Sequence, residues 1–107
     1  MRPLPETEMI DAALARLAAQ TGLRAVCEPL EDHPGPDGRV RIMEGLRQWT
    51  FDIECKHRVD RAAILHGTLA QIQRFTNEGL LVTPYLAPEL ARQCQTIGLP
   101  FLDAAGN

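Results

Sequence analysis

No stretch of this chain is long and apolar enough to span a bilayer. No signal peptide is visible, because Asp11 and Arg16 interrupt the first apolar segment. Cysteine is scarce: Cys27, Cys55 and Cys94 are three in number and scattered. An odd, scattered set argues against a disulfide scaffold and fits buried thiols in a reducing cytoplasm. There is no CxxC pair and no HxxxH pair, so a zinc site from Cys55, His57 and either Cys27 or His33 lacks ligand spacing. Internal repeats and low-complexity tracts are absent. Excess positive charge is missing too: the net charge of -3 argues against strong non-specific binding to nucleic acid. The expectation is a cytoplasmic protein with no membrane contact.

What remains is ordinary globular material. The 107 residues are 45% apolar and 23% charged, one domain's worth covering residues 1–107. The charge is unevenly laid out. Residues 1–38 carry net -4, residues 39–74 net +3 and residues 75–107 net -2. The positive middle contains Arg39, Arg58 and Arg61, the candidates for phosphate contacts. The competing reading is a solvated basic face.

The stretch from Pro36 to Lys56 reads as a β-hairpin. Gly45-Leu46 is a two-residue turn, and Gly in first place suits type II′. Pairing Glu44 with Arg47 sets the register: Ile42 faces Trp49, Val40 faces Phe51, Arg39 faces Asp52 and Asp37 faces Glu54. Alternation puts Trp49, Phe51, Ile53 and Cys55 on a core face with Val40 and Ile42. The other face carries Asp37 opposite Glu54, with Lys56 two residues beyond.

Two carboxylates on neighbouring strands can hold a hard divalent cation through oxygen. Such a cation polarises a phosphate and acidifies a water. A lysine on the same face can orient that water or stabilise charge building on phosphorus. This is the chemistry of a metal-dependent phosphodiesterase. The bland alternative stays open. Pro34-Gly35-Pro36-Asp37-Gly38 is also what a surface turn looks like, and a bulge at Gly38 would turn Asp37 to the other face.

The flanks read as helices and strands. Residues 1–5 form a loose start. Met9, Ile10, Ala13, Leu14, Leu17 and Ala18 predict a helix from about Glu6 to Thr21. Leu23 to Leu30 predicts a strand, and Glu31 to Gly38 a loop holding His33. Asp60 reads as the N-cap of a helix reaching about Glu78, with Ile64, Leu65, Leu69, Ile72 and Phe75 buried and His66 outside. Leu80 to Leu86 predicts a buried strand, Pro88 to Ile97 a helix closed by Gly98, and Pro100 to Asp103 a last strand. The expected class is α/β with a mixed sheet.

The pattern Pro36-Asp37, sixteen residues, Glu54-Cys55-Lys56 resembles the PD-(D/E)XK nuclease superfamily. The resemblance implies a restriction-endonuclease-like αβββαβ core with helices on both faces. It implies Asp37 and Glu54 as ligands of Mg2+ or Mn2+, completed by the backbone carbonyl of Cys55, and Lys56 as the catalytic lysine. It adds Gln71 from a Gln-x-x-x-Tyr motif, with Phe75 in the Tyr place, and an acid of the first helix, Glu8. Substrate would be nucleic acid, DNA ahead of RNA. The segment LLVTPYLAPELARQCQTIGLPFLDAAGN is similar to the AbiEi-type antitoxin regulators of type IV toxin–antitoxin systems. With Glu54-x-Lys56 this second likeness covers roughly residues 45 to 107. It implies a non-catalytic regulatory or interaction module with a protein partner. Those regulators carry a winged-helix DNA reader and continue past the Gly-Asn. The expectation is therefore a short paralogue, a single domain or a truncated copy, with a homodimer left open.

Overall fold

The computed structural model describes residues 6–29 and 35–104. In chain order it runs α1 (Glu6–Thr21), β1 (Arg24–Pro29), β2 (Gly38–Glu44), β3 (Arg47–Cys55), α2 (Ala62–Ile72), β4 (Glu78–Thr83), α3 (Pro88–Ile97) and β5 (Phe101–Asp103). The five strands make one mixed sheet in the order β1-β2-β3-β4-β5. The first three strands are antiparallel neighbours, and β3, β4 and β5 are parallel. The expected loop with His33, the loose start and the Ala105-Gly106-Asn107 ending lie outside the described residues.

Helices cover both faces because alternate strand residues bury both ways. Met9, Ile10, Ala13 and Leu14 of α1 pack with Val40, Ile53, Cys55, Leu80 and Val82. Leu65 and Ile72 of α2 and Cys94 of α3 pack with Leu81, Leu86 and Leu99. Near-continuous burial along Gly79 to Thr83 is what a central parallel strand requires. No helix among the described residues is long and apolar enough to cross a membrane.

The hairpin register is the expected one from Glu44↔Arg47 through Val40↔Phe51 and Arg39↔Asp52 to Gly38↔Ile53. Gly45 has φ of 60° while Leu46 stays at negative φ, the combination a type II′ turn needs. Beyond Gly38 the expectation fails. The Asp37 amide also donates to the Ile53 carbonyl, at 2.7 Å. Two residues thus oppose one, as in a β-bulge, so Asp37 does not continue the ladder opposite Glu54.

Two further expectations are corrected around α2. Asp60 does not cap it; Arg61 holds the N-cap place without a side-chain bond. The Asp60 carboxylate instead lies 3.2 Å from Arg58 Nε and 3.7 Å from Arg61 Nε. The helix also stops at Ile72 rather than near Glu78. A turn follows, because Asn77 must reach Asp52: the Asn77 amide and side-chain nitrogen donate to it at 3.1 and 3.2 Å. Strand β4 then starts at Glu78, with Gly79 packed so closely on Ile72 that an added Cβ would collide with the Ile72 side chain. The strand ends at Thr83 rather than Leu86, since Pro84 has no N–H for the ladder.

Candidate metal and phosphate site

The site forms where β3 leaves the sheet. Parallel β3, β4 and β5 bring their C-terminal ends together there, and ligand sites of open α/β sheets favour that edge. Glu54 and Cys55 are the last residues of β3 and point to opposite faces. The bulge places Asp37 between them. Asp37 Oδ2 accepts the Cys55 amide at 2.8 Å, and its carboxylate lies near enough to Glu54 to oppose that group's charge. Side chains therefore bring together the pair that backbone register does not.

Lys56 extends the group. Its Nζ lies 3.9 Å from Glu54 Oε1 and donates to Gln71 Oε1 of α2 at 3.4 Å. Gln71 is thus beside the lysine, as its place on the edge of the buried stripe of α2 allows. Glu8 of the first helix is exposed and does not join the group. Glu6 does: its carboxylate, an Asp37 oxygen and Cys55 Sγ lie within 4.8 Å of one another. The signal was present in the sequence. Glu6 sits three and four residues before Met9 and Ile10, on the stripe that α1 turns to the sheet, whereas Glu8 does not.

The electrostatics follow from burial and crowding. The Glu54 side chain is 9% exposed. Burial first, and the charge of Asp37 next, push its carboxyl up to about 7, against a smaller opposing pull from Lys56. Burial, with the nearby Asp37 and Glu6 charges, raises the Cys55 thiol far beyond its ordinary value, so it stays protonated. The native protein holds a proton on Glu54 between about pH 4.5 and 7 that the unfolded chain has released. This contribution to stability is complete at the acid end of that window and lost as pH rises through the folded value, on the order of 3 kcal/mol in all. Glu54→Gln carries no charge. It is expected to melt several degrees above wild type near about pH 9 and much closer to it near about pH 5, and thermal melts at the two values check this. A constant difference between the two would contradict the buried charge.

Of the basic candidates, Arg39 stands apart from Arg58 and Arg61, which share Asp60. Arg39 Nε donates to Asp52 at 2.9 Å, so its first task is in the sheet. Arg58 and Arg61 are exposed and flank Asp60. The zinc grouping of Cys55, His57 and Cys27 does not form among the described residues, where Glu6, Asp37 and Cys55 are the only such cluster.

Residues of the second likeness serve the end of the sheet. Asp103 is 2% exposed and its Oδ2 accepts the Leu86 amide at 3.0 Å. Thr83 pairs with Asp103 across β4 and β5, and the Ala104 amide donates to the Thr83 carbonyl at 3.2 Å. Comparison with family models, curated proteins and solved structures gave no match.

Proposed function

We propose that this chain is a restriction-endonuclease-like domain, a Mg2+-dependent nuclease or its inactive descendant, acting on nucleic acid. One observation carries the reading: the Asp37 carboxylate, held at 2.8 Å by the Cys55 amide, crowds the Glu54 carboxyl at the end of β3, with Lys56 Nζ 3.9 Å from Glu54. The element order from α1 to β4, with β2 antiparallel to β1 and β3, supports an αβββαβ core.

The donor set fits a hard cation. Asp37 and Glu54 offer carboxylate oxygens and Glu6 adds one beside Asp37, while Glu54 stands outside the tight cluster of Glu6, Asp37 and Cys55 Sγ. When bound, the cation supplies the Lewis acid that polarises a phosphate and acidifies water. Glu54 then gives up its proton, so binding strengthens as pH rises toward and past about 7. Lys56 presents an ammonium beside the carboxylates, where it orients water or stabilises developing negative charge. Gln71 limits where that ammonium can swing, by its hydrogen bond at 3.4 Å.

Calorimetry with Mg2+ or Mn2+ tests the site. Wild type is expected to bind and gain melting temperature with metal, while Glu54→Gln shows neither effect. Equal responses from the two proteins would remove the metal site. A second reading, a non-catalytic interaction module of antitoxin type, draws on the exposed Tyr85 of the segment 83–107.

A further inference from the structure

We infer that the hollow between Lys56, Arg58 and one face of α2 seats a backbone phosphate of the nucleic-acid strand, drawn close to the helix at Gly67. This rests on the nuclease reading above and names where its substrate runs. The hollow has a volume of about 410 Å³ and is lined by Lys56, Arg58, Ile64, Gly67, Thr68 and Gln71. Residues 64, 67, 68 and 71 follow one stripe along the helix. Two cations line it, Lys56 with Glu54 at 3.9 Å and Arg58 with Asp60 at 3.2 Å behind them, and no carboxylate lines the hollow itself. A phosphate placed there would lie beside the attacking end of the site, since Lys56 belongs to both.

Gly67 is the residue that calls for an explanation. It stands inside α2, where glycine weakens a helix relative to alanine. The fold does not require it: a Cβ added there meets nothing within 4 Å, and the residue is not at positive φ. Contrast Gly79, where an added Cβ collides with Ile72. A glycine that packing does not demand, on the floor of a basic hollow, fits an anion that approaches the helix backbone. Gln71 contributes as well. Its Oε1 accepts from Lys56, which leaves its amide nitrogen to donate to phosphate oxygen.

Fluorescence anisotropy with labelled short DNA and RNA oligonucleotides, in Ca2+ and at low salt, tests the inference. Gly67→Ala is expected to raise the melting temperature by a few degrees, at roughly the helix-propensity difference. Gly67→Leu fills the hollow. It is expected to weaken binding about tenfold, the loss of roughly one charge-assisted contact, with metal affinity unchanged by calorimetry. Arg58→Ala is expected to reduce the salt slope by about one. Comparison of the two oligonucleotides tells which nucleic acid supplies the phosphate. Wild-type affinity in Gly67→Leu, or a parallel loss of metal affinity, would overturn the inference while leaving the carboxylate site to its own titration. Failure of wild type to bind either oligonucleotide would overturn it too. Absence of metal binding in wild type is the separate result that ends the nuclease reading.

Discussion

Lys56→Ala is expected to lower metal-dependent cleavage of a nucleic-acid strand by about two to three orders of magnitude, the usual range for a group acting in the transition state. The fold should survive, because the side chain is partly exposed and its two contacts, to Glu54 at 3.9 Å and Gln71 at 3.4 Å, are long. Far-ultraviolet circular dichroism and a melt establish that. The lysine is the discriminating residue. Carboxylates at a sheet end can serve solubility or structure, but an ammonium placed beside them alters a rate only where there is an attack to promote. A weak wild-type rate is expected, since the acidic chain offers few phosphate contacts. Robust cleavage that survives Lys56→Ala would contradict the proposed role. No cleavage by either protein, in any divalent metal, would favour the interaction module. Binding to a partner protein should then depend on the segment 83–107.

Asp52→Ala is expected to be the most damaging of the polar substitutions, at about 3 to 5 kcal/mol. Asp52 is 1% exposed, yet it lies on the polar face of the hairpin. Arg39 and both nitrogens of Asn77 converge on its carboxylate. Truncation leaves the Asn77 amide unsatisfied and frees the turn that ends α2. The two ionised partners also lose their pairing across β2 and β3. Burial alone would raise the Asp52 carboxyl, but the Arg39 and Asn77 hydrogen bonds outweigh it and hold the group below its ordinary value. Its stabilisation is therefore present above the usual carboxylate range and lost as pH falls through the lowered folded value. Urea melts of the two proteins should differ widely at neutral pH and approach one another in strong acid. A difference that stays constant down to low pH would mean that packing, not the charge, carries the effect.

The opposite behaviour of Asp52 and Glu54 comes from one face of one strand. Both are buried. Asp52 meets an arginine and two amide donors, so its charged form is favoured. Glu54 meets a second carboxyl, so its charged form is opposed. A structural carboxylate and a candidate metal ligand thus differ in what faces them, two residues apart. Alternation alone placed them together and could not tell them apart.

Local chemistry by itself determined much of this protein. The Gly45-Leu46 turn set the pairing of β2 with β3 because a two-residue loop leaves a single register. Helical spacing of Met9, Ile10, Ala13 and Leu14 fixed α1, and Pro88 and Gly98 bracketed α3 with a favourable start and a left-handed close. These signals act within a few residues, so they can be read along the chain. Only the tertiary structure decided the rest. Asp60 carries a good capping side chain, but Arg58 and Arg61 engage it instead. The apolar period of α2 runs on to Phe75, but Asn77 and Gly79 answer to Asp52 and Ile72, residues 25 and 7 positions away. Asp37 reaches Glu54 through a bulge and a side chain rather than through the ladder. Glu6 arrives from the other end of the domain because α1 packs its apolar stripe over Cys55. Such contacts depend on where separate elements come to rest against each other, and that placement is settled by burying both faces of the sheet at once.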